Sequence, residues 1–474
     1  MNALYRVFQK LVNEELEKQK ETDQKVGYRW RPEFHVAPPT GWLNDPNGLC
    51  QKDGIYHAFF QMAPFEPEGG LKFWGHCISK DMLHWEFQGV PMQPDQPYDC
   101  HGAYSGSALV EEDRMYLFYT GNIKQAGDYN YITDGRESNT ILAVSRDGGK
   151  IESKKLLMTN ADYPEDLTCH VRDPKVWKQD GMYYMVQGAR TKEEKGVVLV
   201  FASEDKYHWN CIHRLESKET FGYMWECPDL YELDGQTILG ISPQGVEADG
   251  YWYANRYQTV TAVIRGDFRT DGVPEHFREL DGGFDFYAPQ TFLTEDGRRI
   301  LIGWMGMADA EDEYTNRTVE DNWQNVLTLA RELSLKDGIV CQNPVRELEN
   351  WWNREEAFTG QYEGSTTECY ELDLKPGTGD VKVTLADGLV LFWDSREYVF
   401  KMEFTDSALG CGRTVRARQM QKCADMKVIV DVSCVEVFMN GGKDVFSTRF
   451  YPAKDQYKVV VNGTDLDGFY RYRE

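Results

Sequence analysis

Five times in this chain a tight-turn signature is followed at once by a short aromatic and aliphatic run. That recurrence restricts the fold more than any other feature. The copies are Asp53-Gly54-Ile55-Tyr56-His57-Ala58-Phe59-Phe60, Asp113-Arg114-Met115-Tyr116-Leu117-Phe118-Tyr119 and Asp180-Gly181-Met182-Tyr183-Tyr184-Met185-Val186. Asp234-Gly235-Gln236-Thr237-Ile238-Leu239-Gly240 and Asp296-Gly297-Arg298-Arg299-Ile300-Leu301-Ile302-Gly303-Trp304 complete the set. The turn residues mark hairpins, and the runs are apolar enough for the middle of a sheet. A second turn signature follows three copies, as Ser79-Lys80-Asp81, Ser145-Arg146-Asp147 and Ser203-Glu204-Asp205, and two of these continue into His84-Trp85 and His208-Trp209. Units roughly 55 to 65 residues apart, each worth one small antiparallel sheet, predict an all-β, five-bladed β-propeller. A β-sandwich with coincidental hairpins is the competing reading.

Counting back eight or nine residues from each turn reaches Asp45, Ser105, Asp173, Glu226 and Ala288. If the repeat holds, these five positions are equivalent, one on the first strand of each blade, where propeller strands line the central channel. Three of the five are acids. Gathering carboxylates in one place is costly, because like charges and desolvation both raise their pKa values. General acid/base chemistry requires such an arrangement, whereas a structural site avoids it. No loop with alternating oxygen ligands points to calcium. Asp45 lies in Trp42-Leu43-Asn44-Asp45-Pro46-Asn47-Gly48, where Pro46 biases the preceding residues toward extended geometry.

The remaining organisation follows from composition and pattern. A chain of 474 residues is too long for one small core. Residues 4–20 place Leu4, Phe8, Leu11, Val12 and Leu16 at helical spacing, which predicts an amphipathic docking helix within segment 1–27. The propeller is expected over 28–340, a charged linker helix within 341–360 ending near Glu356, and a β-sandwich over 361–474, where alternating runs such as Lys427-Val428-Ile429-Val430-Asp431 dominate. The net charge of −25 argues against nucleic acid and anionic membrane as partners. The eleven Cys residues form no CxxC pair and no zinc spacing. Met1 to Trp30 carries Lys and Glu throughout with no apolar core of a leader, which predicts a cytoplasmic protein.

Four motifs in order resemble the family-32 glycoside hydrolases: Trp-Leu-Asn-Asp-Pro-Asn-Gly at 42–48, Tyr-Ser-Gly-Ser at 104–107, Arg-Asp-Pro at 172–174 and Glu-Cys-Pro at 226–228. The similarity runs from about Arg31 to the end of the chain. It implies a five-bladed propeller followed by a β-sandwich, and hydrolysis of terminal β-D-fructofuranosides with retention and without metal or organic cofactor. By motif position it assigns Asp45 as nucleophile, Glu226 as acid/base and Asp173 as transition-state stabiliser. It also implies sugar contacts from Asn44, Gln61, Trp74, Tyr104, Ser105, Arg172 and Trp304.

On the residues themselves, amides of its own turn are expected to keep Asp45 ionised, Arg172 to orient Asp173, and Cys227 to pack as a wall behind Glu226. Gly70-Leu71-Lys72-Phe73-Trp74-Gly75-His76 and Ile241-Ser242-Pro243-Gln244-Gly245 look most like the bacterial sucrose-6-phosphate hydrolase branch, with Lys72 and Arg190 as candidates to meet a 6-phosphate. Sucrose, short fructans, fructosyl transfer and a sugar-binding propeller without catalysis stay open. Asp431-Val432-Ser433-Cys434-Val435-Glu436 departs from the family's Asp-Arg-Ser-Ser-Val-Glu, which loosens any contact between the sandwich and substrate. A stabilising or homodimer-forming role is expected for that domain.

Overall fold

The computed structural model describes residues 2–364, 367–453 and 457–474. Helix α1 (Ala3–Val26) opens on the Asn2 side chain, which accepts the Tyr5 N–H at 2.8 Å, and ends at Gly27, whose φ of 86° suits glycine. Its docking face runs through Phe8, edge-on to Phe73 at 5.2 Å, buried Val12, and Gln19, which donates to the Asp321 carbonyl at 3.0 Å. Leu4 and Leu11, expected on that face, are instead 40% and 44% exposed. Polar anchors toward the C-terminal end set the roll of the helix.

Five antiparallel sheets follow as blades. Their innermost strands are Gly41–Lys52, Ala103–Glu111, Leu167–Gln179, Met224–Leu233 and Tyr287–Leu293. Each contacts the next, and the fifth contacts the first, so the ring closes. Trp323–Gln324 pairs in parallel with Gly41 and Trp42 in blade 1, and Val326–Leu327 pairs with the second strand of blade 5, which clasps the two ends together.

The second strands are apolar on both faces because each is buried between two neighbours. Leu117 and Tyr119 of blade 2 join Phe59 and Trp74 of blade 1, while the intervening Phe118 joins Met185 and Leu199 of blade 3. Tyr184 and Val186 of blade 3 turn toward Leu230 and Leu239 of blade 4, and Tyr231 and Ile238 of blade 4 pack with Phe286 and Leu301 of blade 5. The repeated Ser-x-Asp signature forms near-identical turns. Asp81 Oδ1 accepts the N–H groups of Leu83 (3.0 Å) and His84 (2.8 Å), and Asp205 Oδ1 accepts those of Tyr207 (2.8 Å) and His208 (2.9 Å).

The last propeller strand reaches Pro344, a 3-10 helix spans Arg346–Asn350, and the next strand begins at Arg354. The helix expected to end near Glu356 is therefore one short turn, and Glu356 is already in a strand. The C-terminal unit is a sandwich whose two layers share the long strands Arg354–Gly364 and Val459–Tyr472. Val459–Gly463 pairs with Val381–Leu385 in one layer, and Leu466–Tyr472 pairs with Tyr370–Pro376 in the other. Gly360 (φ 75°) and Asp465 (φ 56°) mark the corner between them.

Buried charge joins the two units. His35 of the propeller sits between Asp431 (Nδ1 to Oδ2, 2.7 Å) and Glu436 (Nε2 to Oε1, 2.8 Å) of the sandwich. Arg331 donates twice to Glu436 Oε2 (2.9 and 2.5 Å) and once each to Asp281 (3.1 Å), Gln342 (2.8 Å) and Ser447 (2.6 Å), which satisfies its whole guanidinium. The divergent Asp431–Glu436 motif is thus an interface element, fully shielded from solvent. No helix of the described residues is long and apolar enough to cross a membrane.

Candidate active site

Every innermost strand carries a bulge with two residues facing one on the adjacent strand. The pairs are Asn44-Asp45 facing Gln61, Tyr104-Ser105 facing Thr120, Asp173-Pro174 facing Gln187, Cys227-Pro228 facing Ile241 and Ala288-Pro289 facing Gly303. A bulge bends a strand and re-aims its side chains, and such features concentrate beside active sites. In blades 3 to 5 the first bulge residue has positive φ: 64° at Asp173, 46° at Cys227 and 45° at Ala288. These are backbone conformations that L-residues adopt at a cost.

The bulges correct the equivalence inferred from spacing. By pairing register, Glu226 matches Arg172 and Tyr287 just before the bulge, Asp173 matches Cys227 and Ala288 in its first position, and Asp45 matches Ser105 in its second. The acids occupy three successive steps of one shared motif, not one position. Counting from the hairpin misses this because the count cannot see where the extra residue is inserted.

All three acids nevertheless converge. The buried Cys227 thiol lies 3.5 Å from Asp45 Oδ2 and 3.6 Å from Asp173 Oδ2, and the Cys227 N–H donates to Asp173 at 2.9 Å. Cys227 therefore stands between two acids, not behind Glu226 as expected from sequence. Asp45 accepts from Asn44 (3.2 Å), Gln61 (3.2 Å) and Ser105 (2.5 Å), so side chains from blades 1 and 2 solvate it where turn amides were expected. Glu226 accepts from Arg172 (Nη2, and Nε at 3.2 Å), from Gln244 at 2.8 Å and from the Tyr287 hydroxyl at 2.5 Å.

Arg172 thus pairs with Glu226, and its Nε is 3.9 Å from Asp173, the residue it was expected to orient. Arg172 precedes the bulge and Asp173 is its first residue, so the two need not face the same way. Gly188 opposes Arg172, and a Cβ there would fall 1.9 Å from the Trp225 carbonyl. Only glycine lets blade 3 come this close to the strand that presents Glu226.

The charges are held against their preference. Burial pushes Asp173 up to about 7, with Arg172 opposing and Glu226 and Asp45 adding to the rise. Burial also raises Asp45, opposed by the Ser105 hydrogen bond and reinforced by Glu226. Farther along the strand of Asp173, Lys175 pairs with Asp229 at 3.2 Å and donates to the Thr291 carbonyl, linking blades 3, 4 and 5.

The remaining candidates divide. Tyr104 is partly exposed, with the Arg136 guanidinium 5.7 Å from its ring centre. Trp74 is fully buried between blades 1 and 2 and spends its indole N–H on the Tyr104 carbonyl at 3.0 Å, so it positions Tyr104 from behind. Trp304 is 2% exposed, edge-on to Trp42 and Tyr287, and its buried indole N–H has no partner among the described residues. Lys72 lies 5.1 Å over the Trp42 ring, and burial lowers it to about 8 although Asp45 and Glu311 pull upward. Arg190 stacks 4.4 Å from the Tyr223 ring and pairs with Glu194.

Tyr287, Gln244 and the donor role of Cys227 escaped the sequence reading. Tyr287 stood one residue from the counted position, and nothing local marks Gln244 as reaching across to Glu226.

The model of the glycosyl hydrolases family 32 N-terminal domain matches residues 35–344, and that of the family 32 C-terminal domain matches residues 347–469. A sucrose-6-phosphate hydrolase of Bacillus subtilis is 37% identical over 451 residues, covering 92% of this chain and 91% of its own. The solved structure of a sucrose-6-phosphate hydrolase from Lactobacillus gasseri superposes with a TM-score of 0.87 at 29% identity, covering 98% of this chain and 96% of that one. A β-fructofuranosidase of Bombyx mori superposes at 0.84, also at 29% identity, covering 99% and 98%. With both domain models matched in order across nearly the whole length, this chain belongs to glycosyl hydrolase family 32.

Proposed function

We propose that this chain hydrolyses terminal β-D-fructofuranosides with retention, and that sucrose 6-phosphate is its preferred substrate, released as fructose and glucose 6-phosphate. The observation that carries the reading is the convergence of Asp45, Asp173 and Glu226 on one bulged rim. The names of the B. subtilis and L. gasseri relatives support the phosphorylated substrate. The B. mori structure supports the wider fructosidase class.

In the proposed mechanism Asp45 attacks the anomeric carbon of the fructosyl unit while Glu226 protonates the departing glycosidic oxygen. A covalent fructosyl-enzyme forms as that bond breaks. Water then attacks the same carbon, Glu226 takes its proton, and Asp45 is released. Gln61, Ser105 and Asn44 hold the Asp45 carboxylate for attack. Asp173, anchored on the Cys227 amide, accepts hydroxyl hydrogen bonds that strengthen as positive charge develops on the sugar. Tyr287 and Gln244 fix Glu226 from the other side.

No cofactor enters these steps. A phosphorylated disaccharide is met after uptake, so we place the enzyme in the cytoplasm.

The test is kcat/KM on sucrose 6-phosphate beside sucrose and a short inulin-type fructan, with products resolved. A clear preference for the phosphorylated sugar is expected. Equal or better rates on sucrose or fructan would reject the phosphate preference, longer oligosaccharide products would reject hydrolysis in favour of transfer, and no turnover of any of them would reject the enzyme reading.

A further inference from the structure

A basic cluster stands beside Glu226 in a chain whose net charge is −25. Three successive contacts lead into it. Arg172 holds Glu226, Arg172 Nη1 meets His170 Nδ1 at 2.5 Å, and His170 Nε2 faces Arg136 Nη1 at 3.4 Å. Lys124 sits directly across the strand pair from Arg136. Like charges directly opposite on a sheet destabilise it. Among the described residues no carboxylate comes within 4 Å of either Arg136 or Lys124, although most buried cations of this protein are paired.

The hydrogen-bond pattern around His170 points the same way. A neutral imidazole has one donor and one acceptor nitrogen. With Nδ1 accepting from Arg172, Nε2 carries its hydrogen toward Arg136, so two donors face each other. A single anionic oxygen placed beside both would accept from each and resolve the conflict. Burial, followed by Arg172, Arg136, Arg190 and Lys124, holds His170 down to about 2, so the ring stays neutral. Arg136 is only partly exposed and is fixed by its Nε–H donating to Asn122 at 2.9 Å, which leaves the rest of the fork for a ligand.

Resting on the function proposed above, we infer that Arg136, with Lys124 across the strand and Nε2 of His170 facing it, holds the phosphoryl group on the leaving glucose and sets the preference for a phosphorylated substrate. The cluster starts at the acid that protonates the leaving group, whereas Lys72 lies by Trp42 and Asp45 on the attacking side. Arg190, already paired with Glu194, adds field from behind.

The experiment is the ratio of kcat/KM for sucrose 6-phosphate to that for sucrose, in wild type, Arg136→Gln and Lys124→Gln, with inhibition by glucose 6-phosphate against glucose measured in each. Arg136→Gln is expected to lower the ratio about 10- to 100-fold, chiefly through KM, since charge-assisted hydrogen bonds to phosphate carry that much discrimination. It should also abolish the stronger inhibition by glucose 6-phosphate. Lys124→Gln, at an exposed position where folding is not at issue, should lower the ratio a few-fold.

A wild type that prefers sucrose 6-phosphate, with a ratio unchanged in both variants, would overturn this anion site and leave the proposed substrate standing. A wild type without that preference would overturn both the anion site and the proposed substrate. A fall on both substrates by the same factor would assign Arg136 to general support and reject phosphate recognition.

Discussion

Asp431 and Glu436 at the junction of propeller and sandwich, and Asp45 and Asp173 on the bulged strands, are carboxyl groups brought together by strands distant in sequence, all buried except the half-buried Asp45. Their surroundings treat the charge in opposite ways. At the junction burial would raise both acids, but His35 and the Glu33 and Phe34 amides outweigh it for Asp431. Arg331, His35 and the Leu329 amide outweigh it for Glu436, and both fall below the ordinary range. Burial pulls His35 down in turn, yet its two carboxylate bonds carry it up to about 9.

At the active site the acidic neighbours of Asp45 and Asp173 are each other and Glu226, and both acids stay raised by burial although Ser105 opposes the rise at Asp45 and Arg172 opposes it at Asp173. Arg172, the nearest cation, is committed to Glu226. One region spends its cations on stability. The other sets carboxyls beside one another with too little compensation to offset burial, the arrangement that acid/base chemistry uses.

The largest effect separates the two regions by activity. Glu226→Ala should cost about 10³-fold or more in kcat/KM while the protein stays folded, because proton transfer to the leaving group is lost. Near-full activity on sucrose 6-phosphate or sucrose would remove Glu226 from the acid role.

Glu436→Gln should do the reverse. It strips the charge facing His35 and Arg331, both fully buried, and is expected to cost about 3–5 kcal/mol of unfolding free energy. The fraction that remains folded should keep kcat/KM near wild type. Denaturant titration beside activity checks both halves, and a large loss of kcat/KM at constant stability would place the sandwich in the active site.

A smaller effect should appear as pH dependence. The folded pKa of His35 is raised, to about 9, so its contribution is complete below the unfolded value of about 6.5 and is lost as pH rises through 9. Each unit corresponds to about 1.4 kcal/mol, which gives about 3 kcal/mol across that window. Asp431 and Glu436 have depressed values, so their contributions persist above about 4 and vanish only in stronger acid. Unfolding free energy measured from pH 6 to 9.5 should slope downward in wild type and much less in His35→Gln. Equal slopes would mean that His35 is neutral in the folded protein.

The difference between the regions also explains what the sequence revealed. The four Asp-Gly turns, the Asp113-Arg114 turn and the runs behind them mark five blades because their cause is local: turn geometry and strands buried on both faces. Asp45, Asp173 and Glu226 could be singled out because each sits a fixed distance from such a turn. The bulges beneath them shift that distance by one or two residues, so spacing alone makes the three positions equivalent where the register does not.

Partners across blades left no local trace. Arg172 turning to Glu226, Tyr287 and Gln244 bonding to it, and Trp74 withdrawing behind Tyr104 all depend on how neighbouring sheets are set around the ring. Likewise, nothing in Asp431-Val432-Ser433-Cys434-Val435-Glu436 itself shows that its acids meet His35, some four hundred residues earlier.

Asp173→Asn puts the two regions in direct opposition, and it is the measurement to make on one preparation for activity and unfolding free energy together. A carboxyl raised to about 7 in the folded state destabilises the fold increasingly as pH climbs from about 4 to 7, by about 1.4 kcal/mol per unit. The amide removes that penalty while keeping an acceptor for the Cys227 N–H. The variant should therefore match wild type in stability near pH 4, exceed it by a few kcal/mol at pH 8, and lose at least about 10²-fold in kcat/KM. A variant that is less stable than wild type at pH 8 and still active would show that Asp173 is a structural acid like those at the junction, and would contradict the account.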